Sequence, residues 1–427
     1  MADTTQSQGF VARLIAFALR LRIVRALLHY QDNRGPMLAD SVTYRALFSL
    51  FAAVFLGFSV AALWLVANPE AFDALITMLD RLIPGLIGAV DPAELLQPME
   101  FTVAGIIALV GLVGAALGAA SAHAQQVTIR WGDVVGGTHP SVQMIDRIAA
   151  EAKQKSGGRI VIQSFPGGQL GGSRDMIDAV ANGAQQVVTE GAANFGAWVP
   201  SISVVEAPYI WRDAAHLDKA MNGPIGEQFN ETLVKARGMR ILGTTYYGTR
   251  HITTTSKEVR SPADMVGFKL RVPENDVFKA MAEAWGAKPT PMNFGELYLA
   301  LKQNVVDGQE NPLPTIKSGK FDEVQKYLVL TAHIITPRLV VVNEAFWQAL
   351  SAGDRRIISD AVKNGIAWQN AELIRQEGTL VDTFKAAGMT VVTPDPRAFR
   401  DPVLAKVPKM FESKWGAGMV ERIQAVR

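Results

Sequence analysis

The chain has no cysteine among its 427 residues. That absence excludes disulfides and thiolate metal sites. It leaves the compartment open, because a large extracytoplasmic domain does not depend on disulfides. There are six histidines, but they fall neither in an HExxH arrangement nor in a ligand cluster, and no Ser-His-Asp order stands out, so hydrolase chemistry has no motif to rest on. Gly132, Gly136 and Gly137 lack GxGxxG or Walker spacing, so no phosphate cradle is indicated. No cofactor is expected. Charge of one sign is also missing: the formal net charge is +2, and without a basic stripe nucleic acid is excluded as a partner. Beyond residue 126 there is no repeat and no low-complexity tract.

Two stretches lack charge altogether, 46–67 and 101–122. Roughly 20 apolar residues cross a hydrocarbon core, so both read as candidate membrane spans within an α-helical amino-terminal region, residues 1–125. The second run ends Ala120-Ser121-Ala122-His123-Ala124, and its small residues at 122 and 124 equally fit a signal-peptidase site near Ala124. Against cleavage, Glu100 stands where a basic residue would precede a signal segment. Six arginines lie before Ala46 and favour a cytoplasmic amino terminus.

From Gln126 onward the pattern changes. Val127–Trp131, Arg159–Ser164, Gln186–Thr189, Arg240–Thr245, Phe268–Val272 and Leu339–Val342 read as strands. Helical spacing separates them at Pro140–Gln154, Asp175–Ala184, Ile225–Arg237, Asp276–Ala284 and Gly295–Gln303. This alternation predicts an α/β fold with parallel, doubly wound sheets. Such sheets bind ligands outside the carboxyl ends of their strands. Asp354–Ala387 predicts one long helix or two joined at a kink.

The chemistry is concentrated between Arg271 and Pro314. Arg271 lies at the end of Gly267-Phe268-Lys269-Leu270-Arg271-Val272-Pro273, and Asn311 sits in Val306-Asp307-Gly308-Gln309-Glu310-Asn311-Pro312. A guanidinium offers a planar fork that matches a carboxylate with two parallel hydrogen bonds. An amide beside it tunes such a site, and no nucleophile stands nearby. The pair therefore points to recognition of a small carboxylate without chemistry on it. Asp133 and His139 flank the Gly-rich turn after the first strand, where further contacts would fall; helix capping or a core role is the plainer reading of each. Paired carboxylates (Glu190, Glu274, Glu310) and His139, His251 and His333 leave a sugar-acid-processing enzyme as the contrasting class.

Two resemblances organise these readings. Residues 22–65, RIVRALLHYQDNRGPMLADSVTYRALFSLFAAVFLGFSVAALWL, resemble the first transmembrane region of YihY/BrkB-family inner-membrane proteins. That likeness implies a fragment fused to an unrelated secreted domain. Phe165-Pro166-Gly167-Gly168-Gln169-Leu170-Gly171-Gly172-Ser173-Arg174-Asp175, Gly267–Pro273, Pro291–Pro312, Thr331-Ala332-His333-Ile334 and Asn343-Glu344-Ala345-Phe346-Trp347 resemble, in order, the substrate-binding proteins of TRAP transporters, which are tripartite, ion-driven uptake systems. The implied fold is a two-lobed periplasmic binding protein with a long helix behind both lobes. Lobe I would comprise 126–247 plus about 337–376, and lobe II 248–336 plus about 377–427.

The likeness is nearest to the sialic-acid and sugar-acid branch. It implies a carboxylate clamp of Arg271 completed by Asn311, with Arg250, Glu190 and the aromatic Phe294 also at the ligand, and no catalysis. Glu274 stands where sialic-acid binders carry an amide, and Gly172 where they carry an acid. Both departures favour a smaller uronate or aldonate over sialic acid, with a C4-dicarboxylate as a further alternative. The implied partners are TRAP membrane subunits, and the implied location is the periplasm, with the released domain a monomer. If both runs span the membrane, the domain returns to the cytoplasm. Cleavage near Ala124, a head that is not the natural one, or a membrane protein with a regulatory tail would each resolve that conflict.

Overall fold

The computed structural model of the chain describes Trp64, residues 68–82 and residues 126–427. The chain divides into two compact units, Met1–Ala124 and Gln125–Arg427. In the first, helix α1 (Pro69–Leu82) carries Glu70 in its first turn, where a carboxylate complements the amino-terminal dipole. No helix among the described residues is long and apolar enough to cross a membrane. The expected spans at 46–67 and 101–122 (Trp64 apart), the cleavage point near Ala124 and most of the YihY/BrkB-like head lie outside the described residues.

The second unit begins with β1 (Val127–Gly132), α2 (Pro140–Lys155), β2 (Ile160–Phe165), α3 (Ser173–Ala181) and β3 (Val187–Gly191). Two helices, α4 (Ala214–Met221) and α5 (Pro224–Arg237), lead to the long strand β4 (Met239–Thr254). Then come β5 (Lys269–Val272), α6 (Asp276–Ala284), β6 (Lys288–Pro291), α7 (Leu297–Lys302), β7 (Gly308–Pro312), α8 (Leu313–Ser318) and β8 (Tyr327–Val329). The chain returns through β9 (Ile335–Asn343) and α9 (Glu344–Ala349), and ends with α10 (Ala352–Ala386), β10 (Thr390–Val392), α11 (Pro396–Trp415) and α12 (Met419–Gln424).

The strands run in the order β2-β1-β3-β9-β4-β7-β5-β6, with β8 joining β4 to β10. Parallel pairing holds for β1 with β2 and β3, for β5 with β6 and β7, and for β8 with β10. The expectation of purely parallel sheets is corrected at the centre. β9 is antiparallel to β3 and β4, and β4 is antiparallel to β7 and β8. The reason is connectivity: β4 carries the chain from one half of the sheet to the other and β9 brings it back beside β4, so the two crossing strands run in opposite senses. β4 also extends nine residues past the expected Thr245, through Tyr246-Tyr247-Gly248-Thr249-Arg250-His251-Ile252-Thr253-Thr254. Its polar composition hid the strand, although most of it is buried.

The β4–β9 ladder slips between Tyr246 and Gly248, where Gly248 adopts φ +121°. A side chain is strained at that φ. α10 is a single helix of 35 residues, about 50 Å long at 1.5 Å per residue. It holds this irregular segment through Asn370 Oδ1, which accepts from the Tyr246 amide, and Glu377, which accepts from the Thr249 amide and the Tyr246 hydroxyl. The apolar core fills the sheet faces, with Trp131, Trp285 and Trp415 fully buried. Each of their indole N–H groups is satisfied, by Thr189, the Phe399 carbonyl and Ser203 respectively. The chain end fastens back too, as Arg212 donates to the carbonyls of Gln424 and Val426.

Candidate functional site

An open cavity lies where the ends of β3, β5 and β7 meet the start of β9. This is the position that open α/β sheets offer to ligands. Arg271, Arg250, Asn311, Glu190 and Phe294 all line it. Arg271 is 3% exposed and is carried on β5. Its Nε and Nη2 both donate to the Met292 carbonyl, at 3.1 and 2.6 Å, and these are the only hydrogen bonds of its side chain among the described residues. Burial lowers its pKa to about 10, with Arg250 adding like-charge repulsion and Glu310 working in the opposite direction. The guanidinium remains charged at neutral pH, and no carboxylate among the described residues is paired with it.

Arg250, on β4, is engaged differently. Its Nη2 donates to Glu310 Oε1 at 2.7 Å, to the Glu310 carbonyl at 2.8 Å and to Asn311 Oδ1 at 3.1 Å, and its Nε reaches Glu310 Oε2. His333 Nε2 lies 3.0 Å from the same Oε2. Burial opposes the charges of Arg250 and Glu310, and their mutual attraction outweighs it, keeping the carboxyl low and the guanidinium high. Burial also lowers His333, so the neutral ring donates from Nε2 while Nδ1 accepts from Thr331, 2.7 Å away. Asn311 donates to Gln309 Oε1. Its amide is thus fixed between a guanidinium and a glutamine.

Across the cavity, Glu190 at the end of β3 accepts from Ser173, Asn194 and the Gly191 amide. Burial raises its pKa against the pull of Arg338. Arg338, on β9, forks onto Asp133 at 3.0 and 2.9 Å and also donates to the Thr189 carbonyl. The Tyr247 ring lies 4.8 Å from its guanidinium carbon. Burial opposes this charge, and Asp133 with Glu190 outweighs it.

Asp133 and His139 do not reach the cavity wall. Asp133 is spent on Arg338, Ser141 and the Val135 amide. His139 caps α2, accepting the Ser141 amide at Nδ1 and facing Thr315 at Nε2. Both are shut inside by the turn they stabilise. Glu274 is exposed and lines two adjoining pockets, one of which shares Arg271 and Phe294 with this cavity. Phe294 is half-buried, 6.0 Å from the Arg271 guanidinium and 5.7 Å from the Phe321 ring. Gly172 precedes α3 at the rim, where an added Cβ would overlap the side chain of Asn293 from the far side.

Ser173, Asn194, Glu206, Tyr247, Thr336 and Arg338 also line the cavity, and sequence reasoning assigned none of them to it. Glu206 has no flanking motif, and its place depends on a 3-10 turn, Pro200–Glu206. Among the described residues no group of three or more His, Asp or Glu is placed to hold a metal ion.

Residues 131–414 match the family model of bacterial extracellular solute-binding proteins, family 7. The sialic acid-binding periplasmic protein SiaP of Vibrio cholerae is 37% identical over 279 residues, covering 65% of this chain and 86% of that protein. A TRAP periplasmic solute-binding protein of Polaromonas sp. JS666, solved with D-erythronate bound, is 33% identical with a TM-score of 0.68, covering 71% of this chain and 99% of that one. One from Sulfurospirillum deleyianum, solved with succinate, is 27% identical with a TM-score of 0.67, covering 71% and 99%. The two-domain α/β architecture, the matched motifs and these relatives agree: the chain belongs to the family 7 extracellular solute-binding proteins, the periplasmic binding components of TRAP transporters.

Proposed function

We propose that this protein captures a small hydroxylated monocarboxylate, an aldonate or a uronate, for delivery to TRAP membrane subunits. The observation that carries the reading is Arg271: a buried, charged guanidinium on the cavity wall whose bonding among the described residues ends at one carbonyl. Burying a charge without a partner is costly, and a ligand carboxylate supplies the partner. Asn311, fixed in orientation by Arg250 and Gln309, stands beside the clamp. Phe294 covers its apolar side, and Arg250 holds Asn311 and Glu310 in place. Glu190 meets ligand hydroxyls, and Glu274 acts at the outer edge. Asp133 and His139 act indirectly, Asp133 by aligning Arg338.

In this reading lobe I comprises 126–247 with about 337–376, and lobe II 248–336 with about 377–427. They turn about Tyr246–Thr249 and Thr336–Arg338, with the ligand between them. The protein binds and releases without turnover. The carboxyls of Glu190, Glu206 and Glu310 gather around the cavity and disfavour a second ligand charge.

A thermal-shift screen of D-erythronate, glucuronate, sialic acid and succinate tests the proposal. Ligand at 100 times its dissociation constant stabilises the folded state by about 2.7 kcal/mol. Sugar acids are expected to lead and sialic acid to trail. A shift with succinate and none with any sugar acid would overturn the assignment.

A further inference from the structure

We propose that Glu206 and Thr336 form a second recognition point in the cleft, one that reads the hydroxyls at the neutral end of the ligand and rejects a second carboxylate. The inference rests on the sugar-acid reading and specifies how the site separates an aldonate from a diacid of the same length.

Thr336, at the start of β9, lines the cavity and is 2% exposed. Its Oγ1 is buried and has no hydrogen-bond partner among the described residues. Buried hydroxyls are rarely left unpaired, so this one calls for a partner from within the cavity. Glu206 lines the same cavity and is also 2% exposed. The one hydrogen bond of its carboxyl among the described residues runs from the Ala193 amide to Oε2, which leaves Oε1 available to a ligand.

The charged groups facing Glu206 come from three strands: Glu190 from β3, Arg250 from β4 and Glu310 from β7. Arg250 is already committed to Glu310. A second ligand carboxylate here would therefore meet carboxyls with no spare cation. A hydroxyl, which donates and accepts, suits both Thr336 and Glu206. Burial, helped by Glu190 and Glu310, pushes the Glu206 carboxyl up to about 7, so near neutrality it also carries a proton to donate. An anionic ligand favours that protonated form, and its affinity falls as pH rises from 6 to 8.

D-Erythronate and succinate, both four-carbon acids, are the probes, titrated calorimetrically into the protein. Wild type is expected to prefer erythronate. Thr336→Val and Glu206→Ala are each expected to weaken erythronate about tenfold or more while leaving succinate unchanged or tighter. Glu206→Gln, the variant that best preserves the fold, should keep erythronate binding near pH 6 and lose the decline toward pH 8. An unchanged erythronate-to-succinate ratio in Thr336→Val and Glu206→Ala overturns this inference alone. Wild type that prefers succinate overturns the sugar-acid reading and this inference with it.

Discussion

Three arginines are buried around the cleft, and their differences carry the functional argument. Arg250 and Arg338 are each forked onto a carboxylate, whereas Arg271 is not. Arg271→Ala is expected to remove about 2–5 kcal/mol of ligand binding, roughly 30- to several-thousand-fold, with the melting temperature of the free protein little changed. Arg271→Lys should bind poorly as well, because a point charge does not reproduce the fork. Titration calorimetry checks both, and wild-type affinity in either removes the clamp. Arg338→Ala should behave in the opposite way. It strands Asp133 in the interior, and loss of one partner from a buried pair costs about 3–5 kcal/mol, which urea denaturation without ligand would register. The motif around Arg271 is compact and legible. The Arg338–Asp133 pair is separated by 205 positions, and no spacing rule connects them.

Among the elements, α2 depends on its cap. His139 accepts the Ser141 amide only while its ring is neutral, and burial, reinforced by Arg338, holds its pKa down at about 3. A histidine depressed in the folded state contributes stability that is complete above its unfolded value, near 6.5, and is lost as pH falls toward 3. The slope is about 1.4 kcal/mol per pH unit. His139→Asn keeps a capping side chain and should show a shallower loss between pH 6.5 and 4. Equal slopes in denaturant melts across that window would mean that the folded ring takes up its proton as the unfolded one does, and that burial does not depress it. The other elements divide by how they are buried. Helices with one apolar face and the short strands β1, β2 and β5 were legible from periodicity. β4 was cut short because its second half packs Thr, Tyr, Arg and His into a hydrogen-bonded polar core that periodicity does not register. Its antiparallel sense follows from long-range pairing with β9, which local pattern does not contain.

For the whole molecule, the proposed motion is rotation about the irregular β4–β9 segment that α10 holds from behind. Small-angle scattering should show the radius of gyration of the protein fall when D-erythronate is added. An identical profile would indicate a rigid site. The family fold was legible because its motifs recur in order along the chain, whereas the cavity wall was legible only in part. Positions such as Glu206 and Thr336 acquire meaning from which strands become neighbours, a property of the assembled sheet. The rim pair Gly172 and Asn293 bears on residence time. With no side chain at 172, the two rims meet closely. A leucine there would act as a doorstop, so the ligand would enter as fast as before and leave sooner. Selection for tight capture at low solute concentration would then fall on a residue that contributes no atom to the ligand.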